Sequence, residues 1–217
     1  MSSAKPVLYS YFRSSCSWRV RIALLLKGLE FETRPINLLK GENRSDEYLA
    51  ICPMGQVPTL VIDGHTMTQS VAIIEYLEEA YKERGTRLLP DLPVERAVVR
   101  ELTEMISSGI QPLQNPSVCA RVGADRKTEW GHYYIDRGFQ ALEKRLLETS
   151  GKYCFKNSIS IADVCLVPQV YNAGRFNVDM TKYPTISRIN QALLEQQAFI
   201  DARPDKQADC PDELRMQ

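Results

Sequence analysis

The chain changes texture once, near residues 84–93, and this constrains the fold more than anything else in the sequence. Before that point, short β-type runs alternate with helical patterns. After it, long helical patterns follow one another with no convincing strand. Pro6-Val7-Leu8-Tyr9-Ser10 reads as a buried strand, and residues 15–27 form a helical pattern closed by Gly28, the usual stop residue. Phe31 to Pro35 is a second strand, giving a strand–helix–strand unit with a right-handed crossover. A polar loop at 40–46 and a short helix follow. Thr59 to Met67 then reads as a hairpin turning at Asp63-Gly64, a dipeptide suited to the tight turns of that geometry. An amphipathic helix over 70–82 closes the segment. The order βαβ, then α, ββ and α, is that of a thioredoxin-like domain. Arg87 to Pro93 reads as the linker, so the expected division is 1–86 and an all-helical 92–217. In the second part, Ser160-Ile161-Ala162-Asp163 has the hydroxyl and carboxylate spacing of a capping box, so Asp163 is read as structural.

Composition removes several classes of function. Lys plus Arg and Asp plus Glu are both 27, so the net charge offers no bulk attraction to nucleic acid or anionic membrane. No apolar run reaches the roughly 18 residues of a membrane span, and the first residues lack the apolar stretch of a secretory signal. The six cysteines show no zinc or C-x-x-C spacing and read as reduced thiols in a cytoplasmic setting, with an additional mitochondrial pool left open. No metal site is expected. His65 and His132 are lone histidines without an expected catalytic duty.

Three stretches carry chemistry. Ser14-Ser15-Cys16-Ser17-Trp18-Arg19 lies between the first strand and the first helix, whose amino end has unpaired N–H groups and attracts anions. A thiolate there is stabilised; lowering a thiol pKa by about two units takes about 2.7 kcal/mol. The plainer reading is that Ser14 or Ser15 only caps the helix. In Gln56-Val57-Pro58-Thr59-Leu60, a cis bond before Pro58 would free the backbone of Val57 to pair with a peptide ligand, whereas a trans bond would make an ordinary edge strand. Gln69-Ser70 opens another helix and offers two side chains to a carboxylate, or is an ordinary cap.

Together these stretches resemble the glutathione site of the cytosolic glutathione transferases. The run from Ser14 to Leu24 resembles the signature of their zeta class, as do Gly109 to Asn115, Cys165 to Val170 and the ending Pro211 to Arg215. The resemblance implies glutathione as cofactor and residues 1–86 as its binding domain, with 92–217 on the substrate side. It implies that Ser14 hydrogen-bonds the glutathione sulfur with Ser15 and Cys16 adjoining, and that Ser17, Trp18 and Arg19 complete the binding run. It also implies that Val57 pairs with the cysteinyl backbone and that Gln69 and Ser70 hold the γ-glutamyl end. Gln111, Asn115, Pro116 and Ser117 would lie by the ligand from the helical domain. Family members carry a Gln in the loop before Pro53; Gly41 to Asp46 has none, so that contact is unassigned. The implied reaction is cis–trans isomerisation of a diketo dicarboxylate in tyrosine and phenylalanine degradation, with side activity on α-halo acids such as dichloroacetate. Arg175 is the favoured cation for the substrate carboxylates, ahead of Arg13 and Arg19. A homodimer is expected. Two other readings stay open: a thiol transferase or dehydroascorbate reductase working through Cys16, and a non-catalytic binding module on the same fold.

Overall fold

The computed structural model describes residues 4–215 and divides the chain into two compact units. The first runs to Thr86 and regains the chain from Gln197 onward; the second is Arg87–Gln196.

The first unit is built on β1 (Val7–Ser10), α1 (Ser15–Leu26), β2 (Glu32–Pro35), α2 (Asp46–Ile51), β3 (Thr59–Ile62), β4 (His65–Thr68) and α3 (Ser70–Ala80). The sheet order is β2-β1-β3-β4, with β1 parallel to β2 and antiparallel to β3, and β3 antiparallel to β4. This is the thioredoxin-like arrangement. Leu8 and Leu60, opposite each other across β1 and β3, are fully buried. On α1, Trp18, Val20, Ile22, Ala23 and Leu24 are all buried, and on α3 so are Ile73, Ile74 and Leu77. Each large apolar side chain of this kind contributes about 1.5–3 kcal/mol on burial. The two helices are also clasped by a buried ion pair, Lys27 Nζ to Glu78 Oε2 at 2.6 Å. Removing one member would strand a buried charge at a cost of about 3–5 kcal/mol.

The hairpin turns where the sequence places it. Asp63 and Gly64 both adopt positive φ (52° and 77°), as a two-residue hairpin loop requires. The Asp63 carboxylate accepts hydrogen bonds from the Tyr76 and Tyr81 hydroxyls, each at 2.7 Å, which fastens the turn to α3. Those two hydroxyls hold the Asp63 pKa below its usual range.

The second unit is helical: α4 (Pro93–Ser107), α5 (Pro116–Val122), α6 (Lys127–Thr149), α7 (Ile161–Arg175) and α8 (Pro184–Leu194), with a 3₁₀ turn at Gln111–Gln114. The capping box forms: the Asp163 carboxylate accepts from the Ser160 N–H at 2.8 Å and hydroxyl at 2.7 Å, and from the Cys154 N–H at 2.8 Å. Complete burial pushes the Asp163 carboxyl upward, against the pull of those donors.

One part of the division differs from the sequence expectation of 92–217. After α8 the chain forms α9 (Gln197–Asp201) and, from there to Arg215, packs with the first unit. The cause lies in two attachments, one buried and one partly buried, that the helical pattern does not reveal. Arg21 Nε donates to the Ala202 carbonyl at 3.1 Å, and the Phe12 N–H donates to Asp209 Oδ2 at 2.8 Å. Among the described residues, no helix is long and apolar enough to cross a membrane.

Candidate active site

Ser14 is the N-cap of α1, with extended backbone angles (φ −68°, ψ 119°) and its Oγ accepting the Ser17 N–H at 3.2 Å. A serine oxygen used this way still has its hydrogen to donate outward. Ser15 and Cys16 occupy the first helical turn, where N–H groups have no partner four residues back. Cys16 is a free thiol and is partly exposed, whereas the other five cysteines, also free, are buried. Ser17 is fully buried with its Oγ unpartnered among the described residues. Trp18, at 3% exposure, belongs to the core beneath the helix end.

The loop before Ser14 is held from behind. Arg21, buried on α1, donates from Nη1 to Ser10 Oγ at 3.0 Å and from Nη2 to the Phe12 carbonyl at 2.9 Å. Burial lowers its pKa to about 9, with the Asp209 charge acting in the opposite direction. Sequence reading missed Arg21 and Asp209. The only local signal is a cation within an otherwise apolar helix, which does not say what it binds.

Val57 is buried beside Tyr11, Phe12, Tyr48, Cys52 and Cys210 in one apolar cluster, so it lies against the loop that leads into Ser14. The Val57–Pro58 bond is cis. The carbonyl before it, of Gln56, is held by the Tyr48 hydroxyl at 2.7 Å, and that hydroxyl also meets Thr59 Oγ1 at 3.0 Å. Neither backbone polar group of Val57 is hydrogen-bonded among the described residues, so both can pair with an extended peptide.

Ser70 begins α3, and Gln69 before it is the N-cap without a side-chain capping bond. Gln69 holds a positive φ of 69°, uncommon outside glycine and a feature of ligand sites. Its Nε2 reaches Met54 Sδ at 3.6 Å. Arg19 joins this end of α3 to α1, its Nη1 donating to Ser70 Oγ at 3.3 Å. The sequence reading entertained Arg19 as a cation for the substrate; at 1% exposure it instead lies beneath the start of α3. Arg13 stacks over the Phe12 ring at 5.7 Å. It lines a cavity of about 380 Å³ with Tyr11, Pro35, Glu42 and Asp209, among others, but not with Ser14, Val57 or Ser70.

The remaining candidates belong to the helical unit. Gln111 starts the 3₁₀ turn and is half-buried. Asn115 caps α5, its Oδ1 accepting from the Ser117 N–H at 3.1 Å and Ser117 Oγ at 2.9 Å, with Pro116 at the first helical position. Arg175 ends α7, exposed, and donates to Asn172 Oδ1 at 3.2 Å. Its charge and that of Lys127 both act on the Cys119 thiol, whose pKa burial nevertheless raises. Arg175 and α5 are therefore near one another.

The first unit thus presents two helix amino ends and an unpaired backbone segment on one thioredoxin-like sheet, groups chemically suited to a peptide thiol bearing a carboxylate. Residues 13–80 match the model of the glutathione S-transferase N-terminal domain. Over 217 residues, 99% of this chain and 100% of the relative, the sequence is 56% identical to maleylacetoacetate isomerase of Rattus norvegicus; it is 45% identical to a zeta-class glutathione S-transferase of Euphorbia esula, over 94% of this chain and 92% of that one. The chain belongs to the glutathione transferase family, in its zeta class. Its curated relatives from animals carry the particular name maleylacetoacetate isomerase. Among solved structures, maleylacetoacetate isomerase of Anaeromyxobacter dehalogenans with glutathione in its active site superimposes with a TM-score of 0.87. That pair is 42% identical, over 95% of this chain and 98% of that one. Another structure of that bacterial enzyme, at a TM-score of 0.85 and 40% identity over 95% and 98% of the two chains, holds dicarboxyethyl glutathione and citrate.

The residues present fit glutathione. Ser14 offers a hydroxyl hydrogen, Val57 two free backbone groups, and α3 an uncapped amino end backed by a buried cation with unused donors. The chain is an enzyme that uses glutathione.

Proposed function

We propose that the chain catalyses glutathione-dependent cis–trans isomerisation of maleylacetoacetate to fumarylacetoacetate, a step in tyrosine and phenylalanine degradation. The observation that carries this reading is Ser14: its oxygen accepts the Ser17 N–H at the positive end of α1, and its hydroxyl hydrogen is still available to donate. When bound, glutathione supplies a thiol nucleophile that adds reversibly to the conjugated alkene, whose bond can rotate while it is single. Ser14 and the first-turn N–H groups of α1 stabilise negative charge at sulfur. Val57 aligns the cysteinyl backbone, and Gln69 with Ser70 holds the γ-glutamyl end. The family resemblance supports Gln111, Asn115, Pro116 and Ser117 as further ligand residues and Arg175 as the cation for a substrate carboxylate. The dicarboxyethyl glutathione of the bacterial relative supports a dicarboxylate substrate.

The test is the consumption of maleylacetoacetate followed by ultraviolet absorbance with and without glutathione. Turnover only with glutathione is expected; equal rates in its absence would refute the reading. The same reading includes activity on α-halo acids, a homodimer measurable by sedimentation, and a cytoplasmic location, the last supported by six free thiols. Partial exposure of Cys16 in the first turn of α1 favours one second reading, thiol transfer through that sulfur. Cys16→Ala would abolish thiol transfer and leave most of the isomerisation.

A further inference from the structure

Within the helical unit, residues 111–117 carry a buried side chain among exposed ones. Pro112, Pro116 and Ser117 are exposed and Gln111 and Asn115 half-buried, but Gln114 in their midst is buried. Its Nε2 donates to Oε1 of Gln169 on α7 at 2.8 Å, and Gln169 is fully buried. The pairing is incomplete. Gln114 Oε1 and Gln169 Nε2 are also buried, with no hydrogen-bond partner among the described residues.

Burying two carboxamides with polar atoms left unpaired costs stability, and two apolar chains of the same shape would pack there without that cost. The pair is therefore a poor device for holding the fold. What a hydrogen bond supplies that apolar contact does not is direction: it forms in one register and is lost in the neighbouring ones. The other attachments of this stretch reach α6. The Leu113 carbonyl accepts from Trp130 Nε1 at 2.8 Å, and buried Ile110 packs so closely on Gly138 that a Cβ there would collide with it. Gln114 ties the same stretch to α7, the helix that ends in Arg175. It also directly precedes Asn115, whose Oδ1 accepts the Ser117 N–H and whose carbonyl accepts the Val118 and Cys119 N–H groups. A rotation at Gln114 is thus carried into the start of α5.

We propose that Gln114 and Gln169 are a positioning pair: their bond sets the register of residues 111–117 against α7 and so holds Gln111, Asn115, Pro116 and Ser117 in the form that meets glutathione. Both carboxamides are buried and act through that segment. This rests on the reading above that those four are ligand residues.

The experiment compares wild-type protein with Gln114→Met, Gln169→Met, the double variant and Gln111→Ala, reading glutathione affinity by calorimetric titration and stability by urea unfolding. Methionine keeps the side-chain length and removes the carboxamide. Each single Met variant should weaken glutathione about tenfold, and the double variant also about tenfold, because the second substitution has no bond left to break. The double variant should unfold at the wild-type urea midpoint or above it, since no carboxamide is then buried alone. In turnover, KM for glutathione should rise as the Kd does while kcat stays within about threefold of wild type. Gln169→Glu keeps an oxygen for Gln114 Nε2 and should bind glutathione more tightly than Gln169→Met.

Wild-type affinity in the double variant, or losses that multiply to about 100-fold there, would overturn the proposal. Weakening that comes with a lower urea midpoint in the double variant would mark a structural role and overturn it as well. If the single Met variants fail to fold, the double variant decides by the same criteria of affinity and midpoint. Gln111→Ala that binds glutathione as wild type does would refute the reading of this segment as ligand-binding, and the proposal with it. Gln111→Ala weakened beside an unaffected double variant would overturn the proposal alone.

Discussion

Ser14 has two duties that can be separated by measurement. As a helix cap, Ser14→Ala should cost about 1 kcal/mol of stability, seen in urea unfolding. As a donor to sulfur it should cost more, about 10²–10³-fold in isomerisation rate, the range for losing one preorganised donor to developing negative charge. The absorbance of thiolate in the glutathione complex should then appear at higher pH than with wild-type protein. Tyr48 acts at the same scale. Its hydroxyl donates to the Gln56 carbonyl, and burial pushes its pKa up to about 12. An ordinary tyrosine in the unfolded chain ionises near 10. The folded state therefore retains this proton longer, so the stability it contributes is complete below about pH 10 and is lost as pH rises through about 12. Tyr48→Phe should lower stability by about 1 kcal/mol at neutral pH and flatten the alkaline fall of Tm.

At the scale of elements, most of what the sequence predicts is local, and it forms. Gly28 ends α1 at a positive φ of 63°, Asp63-Gly64 turns the hairpin, and Ser160 with Asp163 starts α7. Such signals are legible because each joins residues a few positions apart. The capping box is the strongest of them. Asp163→Ala would leave two N–H groups and a hydroxyl buried without an acceptor, so a loss of about 3–5 kcal/mol is expected in urea unfolding. Asp163→Asn should recover part of it, since an amide oxygen still accepts. The candidate stretches are legible in the same way as element starts: Ser14, Val57 and Gln69-Ser70 each begin or precede an element. What each side chain in the stretch does was less legible. Trp18 and Arg19 stand beside Ser14 in sequence yet point into the interior.

At the scale of the whole molecule, the chain's last segment belongs to the first unit. Asp209 caps the Phe12 N–H, and the Ala202 carbonyl takes Arg21 Nε, so the loop before Ser14 is fixed from residues near the far end of the chain. Asp209→Ala removes a hydrogen bond to a charged acceptor worth about 1.5–3 kcal/mol. A lowered Tm is expected, together with about a tenfold loss in kcat/KM as Ser14 loses its fixed approach; a stability loss with unchanged turnover would show that the tail braces the fold without setting the site. The sequence alone determined the elements, their order and the residues that could meet a peptide thiol, because periodicity, caps and turns are written in adjacent positions. Tertiary structure alone decided that Arg19 reaches Ser70 across 51 positions and that the tail returns to the first unit. Long-range partners of a buried charge depend on sheet order and helix packing, and no run of neighbouring residues specifies which distant oxygen the charge will meet.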